Sequence, residues 1–188
     1  MWWFEPRPIV RRVGRLALAL TAAGFVAGCF QPLYGDRTVT GGPGIKERLA
    51  AVDVTQIKAP NGTSIARLAV ELRNDLIFDL TGGSGGLGST HRLNILLSST
   101  QQQVIVDVTT ARPNVQQYGI NATYTLVEIA TGKQVVSGQT FARVSFDNPG
   151  QQQRFSNARG LRDAENRAAK VISENIRSRL ASYFVAGT

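Results

Sequence analysis

The chain has 188 residues and carries 21 Lys and Arg against 13 Asp and Glu, a formal charge of +8 at pH 7. A single cysteine and a single histidine exclude an internal disulfide framework, and no cluster has metal-ligand spacing. Length and composition fit one domain with its own core.

The first segment has three parts. Arg7, Arg11, Arg12 and Arg15 make a positive region, Leu16 to Val26 is an apolar run rich in Ala and Leu, and the small residues Ala27 and Gly28 precede Cys29. This order reads as a secretory signal peptide over residues 1–28, and the run is too short to span a membrane. Val26-Ala27-Gly28-Cys29 resembles a bacterial lipobox, in which the cysteine is acylated and becomes the first residue of the mature chain. That resemblance implies a covalent diacylglycerol and an N-acyl lipid on Cys29, more than one acyl chain and so a stable anchor. Phe30 rather than Asp follows the cysteine. In lipoprotein sorting this favours the outer membrane, on the periplasmic side. Four arginines and one glutamate lie within residues 1–28, so about +5 remains on the rest. Such a modest basic excess can meet anionic headgroups or phosphates. Export removes nucleic acid as a partner, and no cofactor beyond the covalent lipid is expected.

Residues 29–44 hold Gly, Pro and Thr without a hydrophobic period and read as the lipidated start and tether; residues 45–188 read as a single domain. Ala50 to Lys58, with Val52, Val54 and Ile57, predicts a strand that ends at Pro60-Asn61-Gly62. Thr63 or Ser64 then caps a helix over 64–80, whose Ile65, Leu68, Ala69, Leu72 and Leu76 recur at helical spacing. Thr81 to Ser89 is glycine-rich and contains Gly83-x-Gly85-x-x-Gly88. A dinucleotide loop must follow a strand and open a helix; this one follows a helix and opens a strand, so it reads as a linker.

Three strands follow, over 92–106, 116–129 and 133–146, each alternating with period two, and Ala130-Thr131-Gly132 closes a hairpin. Asp147-Asn148-Pro149-Gly150 is a turn, Gln151 to Arg159 is a polar and mobile stretch, and a long amphipathic helix covers 158–184. The order β-α-β-β-β-α gives an α+β two-layer sandwich: a four-stranded, mostly antiparallel sheet with two helices on one face. The other face is polar and uncovered, and therefore open to a partner.

Chemistry is missing from this pattern. There is no His-Glu-x-x-His and no Gly-x-Ser-x-Gly. Asp53, Asp75, Asp79, Asp107, Glu128 and Asp147 are scattered, and His91 reads as a polar residue at a strand start. No enzyme is expected.

Cys29-Phe30-Gln31-Pro32-Leu33-Tyr34-Gly35, the hairpin Tyr118–Phe146, the Phe146-Asp147-Asn148-Pro149 end and the final helix together resemble the lipopolysaccharide-assembly lipoprotein family LptE. The resemblance implies a non-catalytic outer-membrane lipoprotein that sits in a β-barrel partner, LptD, helps that barrel assemble, plugs it and binds lipopolysaccharide. Strand parity places Arg92 and Arg143 on the uncovered face; Lys133 lies at the adjacent hairpin turn and Arg112 in a loop. Parity and position make these four the candidate lipopolysaccharide-binding residues, and the family pattern matches Arg92 and Arg143 best. Two other classes stand beside this reading: a generic periplasmic adaptor lipoprotein of a transport or secretion machine, and an envelope hydrolase, which a shared carboxylate pocket would revive.

Overall fold

A computed structural model of the chain describes residues 43–83, 88–107, 112–147 and 154–186. Cys29, the expected signal peptide over residues 1–28 and most of the expected tether over 29–44 lie outside them. The elements are α1 (Ile45–Ala50), β1 (Val52–Val54), α2 (Ser64–Thr81), β2 (His91–Asp107), β3 (Arg112–Glu128), β4 (Gln134–Asp147) and α3 (Arg154–Ala186). The sheet order is β1-β2-β3-β4. β1 runs parallel to β2, while β2, β3 and β4 form an antiparallel meander. The α+β sandwich with a mostly antiparallel sheet is therefore the observed fold.

Alternation decides which face is buried. Leu93 stands opposite Leu126 and Leu126 opposite Val136; Ile95 opposite Tyr124 and Tyr124 opposite Gly138. These residues share one face, and Leu93 and Leu126 have no exposed surface. Against this face lie Leu68, Leu72, Leu76 and Leu80 of α2 and Ala168, Ile172, Ile176 and Leu180 of α3, all buried. Their i, i+4 spacing puts each set on a single helix stripe. Alanines in the α3 stripe let that helix approach the sheet closely. Full burial of one such Leu or Ile is worth roughly 1.5–3 kcal/mol, so this layer supplies much of the stability.

The ends of the elements follow local chemistry. Thr63 Oγ1 accepts from the Ala66 amide and donates to the Pro60 carbonyl, so Thr63 is the cap of α2. α2 ends at Gly82, left-handed at φ 68°, whose amide donates to the Phe78 carbonyl at 2.8 Å. The β3–β4 turn closes when the Gly132 amide donates to the Glu128 carbonyl at 2.9 Å and the Thr131 hydroxyl to the Glu128 carboxylate at 2.6 Å.

Four boundaries differ from the sequence reading. α1 precedes β1, burying Ile45 and Leu49, while Arg48 Nη1 donates to the Phe184 carbonyl at 3.0 Å and ties the end of α3. The first strand is short: its pairing ends where the Thr55 amide reaches the Leu93 carbonyl at 3.1 Å, and Ile57 is buried outside any strand. α3 begins at Arg154, so part of the stretch expected to be mobile is helical. β3 begins at Arg112, which pairs with Asp107. Arg112 is therefore a strand residue and not a loop residue; strand pairing carries the hairpin past the point where apolar alternation stops.

Candidate functional site

The uncovered sheet face is built from the residues that alternate with the core. Arg92, Asn94, Leu96, Ser98 and Thr100 of β2 lie beside Thr125, Thr123 and Asn121 of β3, and beyond these stand Ser137, Gln139, Phe141 and Arg143 of β4. It is a hydroxyl and amide surface with few charges. Two apolar side chains break it: Leu96 is 68 % exposed and Phe141 61 % exposed. Parity alone places Phe141 there; its exposure is the structural finding.

Arg143 and Phe141 act as a pair. They are two residues apart on one strand and so point the same way. The guanidinium carbon of Arg143 sits 5.1 Å from the centroid of the Phe141 ring, a cation–π arrangement that keeps the charge in water and stiffens both side chains. Gly119 is opposite Arg143. A Cβ there would come within 2.8 Å of Thr100 Oγ1 and 3.8 Å of Arg143 Cγ, so the missing side chain leaves the lane those two residues occupy.

Arg92 occupies the other end. Its Nε lies 3.7 Å from Asp53 Oδ2, and both side chains are about half exposed. Such a pair contributes little, and Arg92 keeps free donors for a ligand. Arg92 also lines a groove of about 790 Å³ that includes Asp53, Thr55, Lys58, Arg73, Asn94 and Leu96. Arg73 is held there by its Nε, which donates to the Val54 carbonyl at 3.1 Å. Lys58 and Arg73 were not singled out from the sequence. Lys58 follows a strand and Arg73 sits in mid-helix, and only the crossover from β1 through α2 brings them beside Arg92.

The four basic candidates do not form one cluster. Arg92 pairs with Val127 and Arg143 with Gly119, eight residues apart along β3, roughly 26 Å at strand rise. Lys133 is exposed just before β4, near the Arg92 end. Arg112 opens β3, a further seven residues beyond Gly119, roughly 23 Å. Arg92 with Lys133 at one end and Arg143 further along are separated basic stations of this face, and no single phosphate spans them.

The remaining titratable groups serve the fold. His91 begins β2 with its ring edge-on to Phe184, centroids 5.2 Å apart, and Nδ1 2.8 Å from the Thr90 hydroxyl. Burial lowers its pKa, against a smaller opposing effect of Glu128. Asp75 is raised, first by burial and then by Glu71 and Asp79, while Lys170 opposes the shift. Burial likewise pushes the phenols of Tyr118 and Tyr124 up. Glu165, 4 % exposed, is paired with Arg67. Among the described residues no group of three acidic, His or Cys side chains is placed to hold a metal ion, and no helix is long and apolar enough to cross a membrane.

The family model described as LptE, lipopolysaccharide-assembly, matches residues 49–180, more than half the chain. A crystal structure of a chain described as a lipoprotein, from Caulobacter crescentus CB15, matches with TM-score 0.59 and 20% identity, covering 77% of this chain and 97% of that one. The rare lipoprotein B from Shewanella oneidensis matches with TM-score 0.50 and 12% identity over 72% and 96%. The lipoprotein B from Nitrosomonas europaea matches with TM-score 0.50 and 13% identity over 73% and 90%. At these identities the structural likeness concerns the fold. No curated protein matches significantly.

Proposed function

The chain belongs to the lipopolysaccharide-assembly family LptE, and on that premise we propose that it is the lipoprotein subunit of a machine that inserts lipopolysaccharide into the outer leaflet. In this reading Cys29 carries the diacylglycerol and N-acyl chains and anchors the domain to the periplasmic side of the outer membrane. The domain partners a large β-barrel of the LptD kind, assists its assembly and occupies its lumen as a plug. It holds and excludes; it does not catalyse.

The observation that carries this reading is the uncovered sheet face. A barrel lumen is lined by polar side chains, because strands that face lipid on one side face water on the other. A polar and long sheet face matches such a wall, and the exposed Leu96 and Phe141 supply apolar anchors that an interface would bury. Arg92 and Lys133 at one end, and Arg143 and Arg112 towards the other, would meet lipid A or core phosphates. Arg is suited to this because its planar fork pairs with two phosphate oxygens.

The test is recovery of the lipidated chain from detergent-solubilised envelopes. A large outer-membrane barrel should co-purify in stoichiometric amount. Recovery of an inner-membrane transporter with no barrel would overturn the reading. For the ligand, Arg92→Ala combined with Arg143→Ala should weaken lipopolysaccharide binding at least several-fold in a folded protein; unchanged binding removes these residues from the role.

A further inference from the structure

The sheet has two outer strands, and they are protected very differently. α3 reaches β4 at one backbone group, where Arg167 Nη2 donates to the Ser145 carbonyl at 3.4 Å, and at one side chain, where Asn175 Nδ2 donates to Thr140 Oγ1 at 3.0 Å; β4 also carries Gly138 and the charged Arg143 along its length. On the opposite side β1 covers β2 only from His91 to Leu93. The last bonds are those of Thr55, whose amide and hydroxyl both donate to the Leu93 carbonyl, at 3.1 and 3.0 Å. β2 continues to Asp107.

The orientation of the bare backbone follows from these bonds. In a strand the amide and carbonyl of one residue point to the same side, and neighbours alternate. The Leu93 carbonyl points away from β3, so the amides and carbonyls of Ile95, Leu97, Ser99 and Gln101 do too. Among the described residues no backbone bond is made to them from that side. Natural edges of this length are blunted by charge, Pro or a covering element. Here Leu93 to Val106 contains no charged residue, no Pro and no Gly. The groove at Thr55 opens onto the start of this edge and carries Lys58, Arg73 and Arg92 against Asp53 alone.

We propose that the edge of β2 from Ile95 to Gln101 is a strand-addition site. It takes an extended segment of a protein partner, collinear with β1, uncharged along its length and bearing a carboxylate at the end beside Thr55. The backbone ladder supplies affinity without demanding sequence, and Lys58 with Arg73 fixes which end of the segment enters the groove. Arg92 belongs both to this groove and to the open face, but the backbone ladder of the site does not rest on lipopolysaccharide binding.

The test uses the full-length chain in cells, with a photo-reactive phenylalanine analogue at Leu96 or at Ser98. Both positions should crosslink to one segment of one partner protein, at residues two apart. Gln101→Pro removes an outward amide while leaving the β3 ladder, and should lower adduct yield at least tenfold. Lys58→Glu, at an exposed position, should lower it at least threefold and serves if the proline variant fails to fold. Adducts only to a second copy, adducts scattered over unrelated segments, or none would each overturn the proposal. If the adducts persist where no barrel co-purifies, strand addition stands and the barrel partnership falls.

Discussion

Single residues in this fold are constrained by contacts that composition hides. Gly138 faces Tyr124 across β3 and β4, on the core side. A Cβ at 138 would lie 2.6 Å from the Tyr124 hydroxyl and 2.7 Å from Cζ, so the tyrosine ring lies over the glycine backbone. Gly138→Ala should cost about 1–3 kcal/mol, measured as a lower urea midpoint, because the ring is half of a packed core pair and cannot swing away freely. His91 gives a pH signature. Its folded pKa lies below the ordinary value of 6.5 because burial disfavours the cation. Between the folded pKa and 6.5 the unfolded chain therefore binds more protons than the folded one. Stability should be full above about pH 6.5 and fall as the pH drops below it. His91→Leu should abolish that component of the slope in unfolding curves recorded from pH 7.5 to 5.

The helices show what pattern can and cannot reveal. Leucines at i, i+4 made α2 and its buried face legible, and period two made the meander and its open face legible down to individual residues such as Arg92 and Arg143. α1 was not legible, because six residues contain too few turns for a period to register. β1 was overdrawn, because the apolar residues Val52, Val54 and Ile57 run on past the pairing, which stops at Thr55, and Ile57 breaks the period of two. The grouping of Arg73 with Arg92 was invisible, since it depends on how a helix crosses back onto the sheet. Gly160 lies inside α3. Its absent Cβ would meet Phe146 Cδ2 at 3.5 Å and the Asp147 carbonyl at 3.6 Å, ordinary contact. Gly160→Ala should therefore raise stability by about 0.5–1 kcal/mol in thermal or urea unfolding. The α2–α3 seam contains Glu165, buried and paired with Arg67. Arg67→Met alone should cost about 1–3 kcal/mol by leaving that carboxylate unpaired. Adding Glu165→Leu should recover much of the loss, and a double-mutant cycle measures the coupling.

For the whole molecule, the helices and core lie on one side of the sheet, and the residues proposed to face a partner lie on the other. Phe141→Ser should therefore leave the unfolding free energy within about 0.5 kcal/mol, while barrel recovered from solubilised envelopes falls several-fold. A parallel loss of stability would mean that the open face is structural. The parallel pairing of β1 also has a kinetic meaning. β2, β3 and β4 are joined by short hairpins, whereas Val54 and His91 are separated by the whole of α2. Closing a short loop costs less entropy and comes sooner, so the meander is the natural nucleus and β1 docks late. A chain delivered N-terminus first holds its first strand unpaired until α2 and the start of β2 have followed it.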